Sequence, residues 1–235
     1  MSPYTTVLIA AAMEEIGATI HRLQLNPADP YYVGTVNDQR IVAAVAGIGA
    51  GSACRLLEQL LAAYHPDHVV HLGFAGGLDS QLAPGDVLHI ARVASASGGD
   101  IAVNSSHNGC TLLTLDRPVH GANEKAHWHK TCGAVAVDME SYPLALLAQQ
   151  RGVRLTIVRA ICDPADMHLP KRAADWVRAD GTADVVAVVR YLLVHPWQLP
   201  TLLQLRRNAR LAARTVAEHV EAMLRYNVDD GPWRL

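Results

Sequence analysis

The sequence predicts a single-domain, three-layer α/β/α fold with a mixed, largely parallel central sheet and helices at the C-terminal end. Two observations lead there. Near-continuous apolar, β-branched runs recur along the chain, as strands covered on both faces require, and helical patterns alternate with them. The chain of 235 residues, 50% hydrophobic and only 18% charged, also suffices for one sizeable core, with no internal repeat, low-complexity segment or clear boundary. One domain is expected over residues 1–235, with a helical extension at about 183–225.

Taken in order, "TTVLIAA", "RIVAAVAG", "DHVVHLGF", "GDVLHIARV", "CTLLTL", "GAVAVDM" and "VRLTIVRAI" read as strands. Helical patterns run from Glu14 to Leu23, Gly51 to Tyr64, Ala122 to Lys130 and Ser141 to Arg151. The tail reads as two helices, "ADVVAVVRYLL" and "TLLQLRRNARLAARTVAEHVEAMLRY", separated by the proline-bounded loop "HPWQLP". In the second, Leu202, Leu205, Ala209, Ala212, Val216 and Val220 form an apolar stripe. Arg206, Arg207, Arg210 and Arg214 are read as a solvated basic face, with peripheral membrane contact as the competing use of that face.

A net charge of −2 and a pI near 6.6 argue against nucleic acid as a partner. Cys54, Cys110, Cys132 and Cys162 are scattered without CxxC spacing and follow no secretory leader, so neither a disulfide framework nor a thiolate metal site is expected and the cytoplasm is the default compartment. "TTVLIAAA" is too short for a membrane span. His127 and His129 lie two apart in a predicted helix and point to different faces, so no metal is expected there. There is no HExxH, GxSxG or P-loop.

Chemistry concentrates at strand ends. "AGIGAGSA" places Gly47 and Gly49 between a strand and a helix, where backbone N–H groups can face an anion or a sugar. "HLGFAGGLDSQLAPGDVL" reads as a strand ending at Leu72, followed by a second glycine loop with Gly73 and Gly76. "AVAVDMES" ends a buried strand in Asp138 and Glu140, and "IVRAICDPAD" ends another in Asp163. Charges there need water or a ligand, so a polar ligand at the sheet edge is expected.

These segments, together with "IAAAMEE" at the start, resemble in order and spacing the nucleoside phosphorylase superfamily that includes methylthioadenosine/S-adenosylhomocysteine nucleosidase. The likeness runs from about Val7 to Asp166. "DRPVHGANEKAHWHKTCGAVAVDMES" and "RADGTADVVAVVRYLLVHPWQLPTLLQLRRNAR" resemble, more narrowly, the hopanoid-associated phosphorylase branch, implicated in removing adenine from adenosylhopane.

The resemblance implies a fold of that superfamily and cleavage of the N-glycosidic bond of an adenine nucleoside, by phosphate or by water. A bulky apolar 5' group fits the narrower branch. A small substrate such as methylthioadenosine, S-adenosylhomocysteine or an ordinary purine nucleoside is the first alternative. It implies Asp163 as the acid at purine N7, Glu140 on the ribose hydroxyls with Met139 beside the sugar, and Arg159 near them. Ile48, Phe74 and Val137 become walls. No cofactor or metal is implied, and a homo-oligomer is. One departure stands out: the nucleosidase's third acid of "MEEE" is Ile16 here, which leaves Glu15 as the displaced candidate for activating the nucleophile. Phe74 replaces a small hydroxyl residue. Together these two changes raise the alternative of a purine-binding protein that has lost catalysis.

Overall fold

Alternation along the first strand sets the layering. In β1 (Thr5–Ala10), Val7 and Ile9 enter one apolar core while Leu8 and Ala10 enter another on the opposite face. A strand buried on both faces must therefore sit between two helical layers. The computed structural model describes residues 4–103, 109–168 and 194–226.

The chain continues through α1 (Met13–Arg22), β2 (Asn26–Ala28), β3 (Tyr31–Val36), β4 (Gln39–Val45), α2 (Ala50–Tyr64) and β5 (His68–Gly77). It then runs through β6 (Val87–Ser95), β7 (Asp100–Ala102), β8 (Cys110–Thr114), α3 (Ala122–Cys132), β9 (Ala136–Asp138), α4 (Ser141–Arg151) and β10 (Arg154–Asp163). A short 3-10 turn at Pro196–Gln198 leads into α5 (Leu199–Tyr226). Leu56, Leu57 and Leu60 of α2 and Leu144 and Ala148 of α4 fill the first core. Ile16 and Ile20 of α1 and Val216 and Val220 of α5 fill the second. The expected mixed sheet between helical layers is thus the observed architecture.

β5 is the hub of the sheet. It runs parallel to β1 on one side and to β10 on the other. Its last residues, Gly76 and Gly77, pair antiparallel with β9. Because β10 pairs with β6, β6 with β8 and β8 with β9, the sheet curls back onto β5 and closes. Closure brings the ends of β5, β9 and β10 together, although β9 arrives from the opposite direction.

Several elements depart from the expectation. β5 does not end at Leu72; its glycine-rich half stays in the sheet through pairing with β10 and β9, so Gly73 and Gly76 are strand residues rather than a loop. The hairpin strands β2 and β3 and the short β7 lie outside the runs that read as strands in the sequence. For β3 and β4 the signal was present: Asn37 and Asp38 both adopt positive φ (47° and 62°), as a tight hairpin turn requires. The tail is helical from Leu199, because a proline early in the first turn sacrifices only a hydrogen bond that position lacks anyway. The expected helix at 183–193 lies outside the described residues. Among the described residues, no helix is long and apolar enough to cross a membrane.

A polar cluster pins the closure. Asp138, ending β9, accepts from Arg159 Nη2 of β10 at 2.8 Å and from Nε at 3.1 Å, and both side chains are almost wholly buried. Thr114 of β8 donates to Asp138 Oδ1 (2.7 Å) and Ser141 of α4 to Oδ2 (2.5 Å). Arg159 Nη2 also lies 2.9 Å from His71 Nδ1 of β5. Burial, reinforced by the adjacent guanidinium, holds the His71 pKa well below the ordinary value and its ring neutral. Removing one member leaves a buried charge without a partner. Arg159→Met is expected to cost about 3–5 kcal/mol of folding stability, read by urea unfolding; a loss well under 1 kcal/mol would show that the pair does not hold the closure.

Candidate active site

At the gathered strand ends lies a cavity of about 450 Å³, walled mostly by apolar groups. Five acidic residues line it, Glu14, Glu15, Asp138, Glu140 and Asp163, and the carboxylates of Glu15, Glu140 and Asp163 are each held in a different way.

Glu15 belongs to the first turn of α1, in the third helical position, and reaches back to the helix start. Its Oε2 accepts from the N–H groups of Ala11 (2.9 Å) and Ala12 (3.1 Å), satisfying amides that a helix start leaves open. Its Oε1 accepts from Phe74 N–H at 2.9 Å. The carboxylate lies over Gly73, where a Cβ would come within 2.8 Å of Oε1. Burial raises its pKa against the lowering effects of Arg159 and the three amides.

The neighbouring Ile16 does not stand in the cavity. Successive helical residues point about 100° apart, so with Glu15 aimed at the strand ends, Ile16 enters the core between α1 and α5 and is fully buried there. Ile16, at the place of the nucleosidase's third acid in the resemblance, thus lies outside the cavity lining, while Phe74 does line the cavity.

Glu140 precedes α4. Its Oε1 accepts from Gly49 N–H at 2.8 Å, at the start of α2, where helix polarity favours an anion. Gly49 takes φ +96°, and Gly47 also has positive φ, which explains the glycines of this turn. Since the Gly49 amide is given to Glu140, this turn positions a carboxylate rather than presenting that N–H to a ligand. Burial first, then the Asp138 charge, raises the Glu140 pKa to about 7.

Asp163 ends β10 over Gly76, where a Cβ would lie 3.1 Å from Oδ2. Lys125 of α3, fully buried, places its Nζ 2.8 Å from Asp163 Oδ2. Burial raises the Asp163 pKa and the ammonium opposes the rise.

Val137, Ile48 and Phe74, anticipated as walls, line the cavity, and so does Met139. Arg159 does not: it is spent on Asp138 and His71 behind the wall, so it supports the carboxylates from outside the cavity. Sequence reasoning missed Lys125, since a lysine in a polar helix ordinarily reads as solvated. It also missed Arg117, Pro118 and Val119 from the segment before α3, and Leu205 and Ala209 of α5. Leu205 and Ala209 belong to the stripe read as packing, but the stripe divides: Ala212, Val216 and Val220 are core, whereas the two earlier residues face the cavity.

A closed mixed sheet brings buried carboxylates to one apolar cavity, an arrangement suited to an enzyme that cleaves the N-glycosidic bonds of nucleosides. The chain belongs to the phosphorylase superfamily, whose family model matches residues 6–109 and, overlapping, 90–193. A 5'-methylthioadenosine/S-adenosylhomocysteine nucleosidase of Buchnera aphidicola subsp. Baizongia pistaciae is 23% identical over 205 residues, covering 70% of this chain and 80% of the relative. The fold is shared with the 5'-methylthioadenosine nucleosidase of Arabidopsis thaliana in its apo form, at a TM-score of 0.73 and 16% identity over 98% of each chain. It is also shared with the futalosine hydrolase of Helicobacter pylori strain 26695, at 0.71 and 17% over 94% of this chain and 97% of that one.

The raised Glu140 pKa has a stability consequence with a definite sign. A carboxyl whose folded pKa lies above its unfolded value stabilises fully below pH 4.5, and that contribution is lost as pH rises through about 7. Urea unfolding across this range is expected to show stability falling with pH, and Glu140→Gln to flatten the fall. An unchanged slope in that variant would assign it to other groups.

Proposed function

We propose that this protein hydrolyses the N-glycosidic bond of an adenine nucleoside that carries an apolar 5' group. The observation that carries the reading is the convergence of Glu15, Glu140 and Asp163 on one cavity. Departure of a purine leaves positive charge on the sugar ring, and carboxylates already in place stabilise that charge more than they stabilise the neutral substrate. Asp163 supplies the proton to N7 of the leaving base. Its raised pKa keeps it protonated to higher pH than an exposed aspartate. Glu140 receives the ribose hydroxyls, and Glu15 takes a proton from the attacking water.

Water is favoured over phosphate by the charge of the lining. Arg117 is the one cation on the cavity wall among the described residues, it is largely exposed, and it is paired with Glu124 at 2.6 Å. A phosphate dianion would approach Glu15 and Glu140 with little to offset the repulsion. The relatives named as a nucleosidase and a hydrolase agree with this choice. The alternative of a protein that has lost catalysis rests on Ile16 and Phe74; Phe74 does line the cavity, but Ile16 lies in the core and the cavity contains the Glu15 carboxylate.

The 5' preference is supported by Ile48, Leu205 and Ala209, which give the cavity an apolar flank. Adenosylhopane, to which the narrower resemblance points, is the bulkiest substrate of this kind, and methylthioadenosine is a small one. The test is adenine release from adenosylhopane, methylthioadenosine and adenosine, each with and without phosphate. Release independent of phosphate and greatest with an apolar 5' group is expected; a requirement for phosphate would overturn hydrolysis. Asp163→Asn is expected to lose roughly tenfold to a thousandfold in turnover. Glu15→Gln is expected to lose turnover while still binding adenine in a calorimetric titration, and full activity in either variant would remove that residue's role.

A further inference from the structure

Lys125 is the one wholly buried residue of α3, a helix otherwise rich in polar side chains. Its ammonium has three hydrogens and no lone pair. Three short contacts account for them: Asp163 Oδ2 at 2.8 Å, the Pro164 carbonyl at 2.7 Å and the Asp163 carbonyl at 3.2 Å, with the Met167 carbonyl further off at 3.5 Å. Saturated in this way and absent from the cavity lining, Lys125 has no donor left for a ligand. Whatever it does for the reaction passes through Asp163.

We propose that Lys125 is a positioning residue for catalysis: its buried ammonium fixes the turn after β10 and stabilises the carboxylate that Asp163 becomes when it protonates the departing base. The inference rests on the reading of Asp163 as the acid. In that step the C–N bond electrons leave with the purine, the Asp163 proton moves to N7, and a negative charge appears on Asp163 next to a cation already in place. The attraction is stronger once the charge has formed than before, which is the condition for lowering a barrier. Burial makes the effect large, because little water screens the pair.

The other groups around Asp163 do not supply this charge. β5 presents Gly76 to it, and Val137 of β9 packs over the same glycine. Its neighbour Cys162 has its thiol pKa raised by burial and stays protonated. Glu15 and Glu140, on the same cavity, are acids.

The experiment is a double-mutant cycle of Lys125→Met and Asp163→Asn, with kcat, KM and the pH profile measured on methylthioadenosine. Lys125→Met alone is expected to lower kcat by roughly 10- to 100-fold with KM little changed. It should also move the alkaline limb of kcat/KM to higher pH, since Asp163 without the ammonium holds its proton longer. In the Asp163→Asn background the same substitution should have no further effect. An unmoved limb, or an equal loss in both backgrounds, would show a merely structural lysine and overturn the proposal. Full activity of Asp163→Asn alone would instead overturn the acid assignment on which it rests. If Lys125→Met does not fold, Lys125→Gln, which keeps two donors for the carbonyls without the charge, carries the same comparison.

Discussion

The Asp138–Arg159 pair is the constraint on which the rest of the site depends. It ties the end of β9 to β10, while Thr114, Ser141 and His71 bind the same cluster to β8, α4 and β5. Two charges removed from water are tolerated only when nearly all their hydrogen-bonding capacity is used, which restricts the geometry to a narrow range. Glu140 lies two residues beyond Asp138, so the orientation of its carboxylate follows from how tightly the turn at Asp138 is held. A cluster that reaches the cavity only at Asp138 thereby sets the position of Glu140.

Three of the carboxylates lining the cavity are kept by three kinds of partner: backbone amides for Glu15, the amide at the start of α2 for Glu140 and a buried ammonium for Asp163. In each case burial raises the pKa, and the partners moderate the rise. Gly73 and Gly76 let two of these groups lie directly against β5, where a Cβ would collide with Glu15 and crowd Asp163. The result is a cavity prepared for developing positive charge.

α5 joins the two halves of this chemistry. Its later turns complete the core against α1 and β10, while Leu205 and Ala209 form part of the cavity wall. Around them Leu199, Leu203 and Leu211 remain exposed beside the basic face of Arg206, Arg207 and Arg210. One helix therefore carries both packing and cavity-facing residues, and periodicity alone does not distinguish them because both lie along one apolar stripe.

Local patterning determined the alternation of strands and helices, and with it the α/β class, because apolar period and turn chemistry act over a few residues. It also marked Glu140 and Asp163, since a carboxylate ending an apolar strand demands a partner. Tertiary structure decided what no neighbour in sequence reveals. The closing of the sheet kept Gly73 and Gly76 in a strand, and the start of α1 at Met13 sent Glu15 to the cavity and Ile16 to the core. Burial drew Arg159 behind the wall and Lys125 beneath Asp163. The physical reason is common to all four: the partners lie far apart in the chain, and the cost of a buried charge is set by the fold around it.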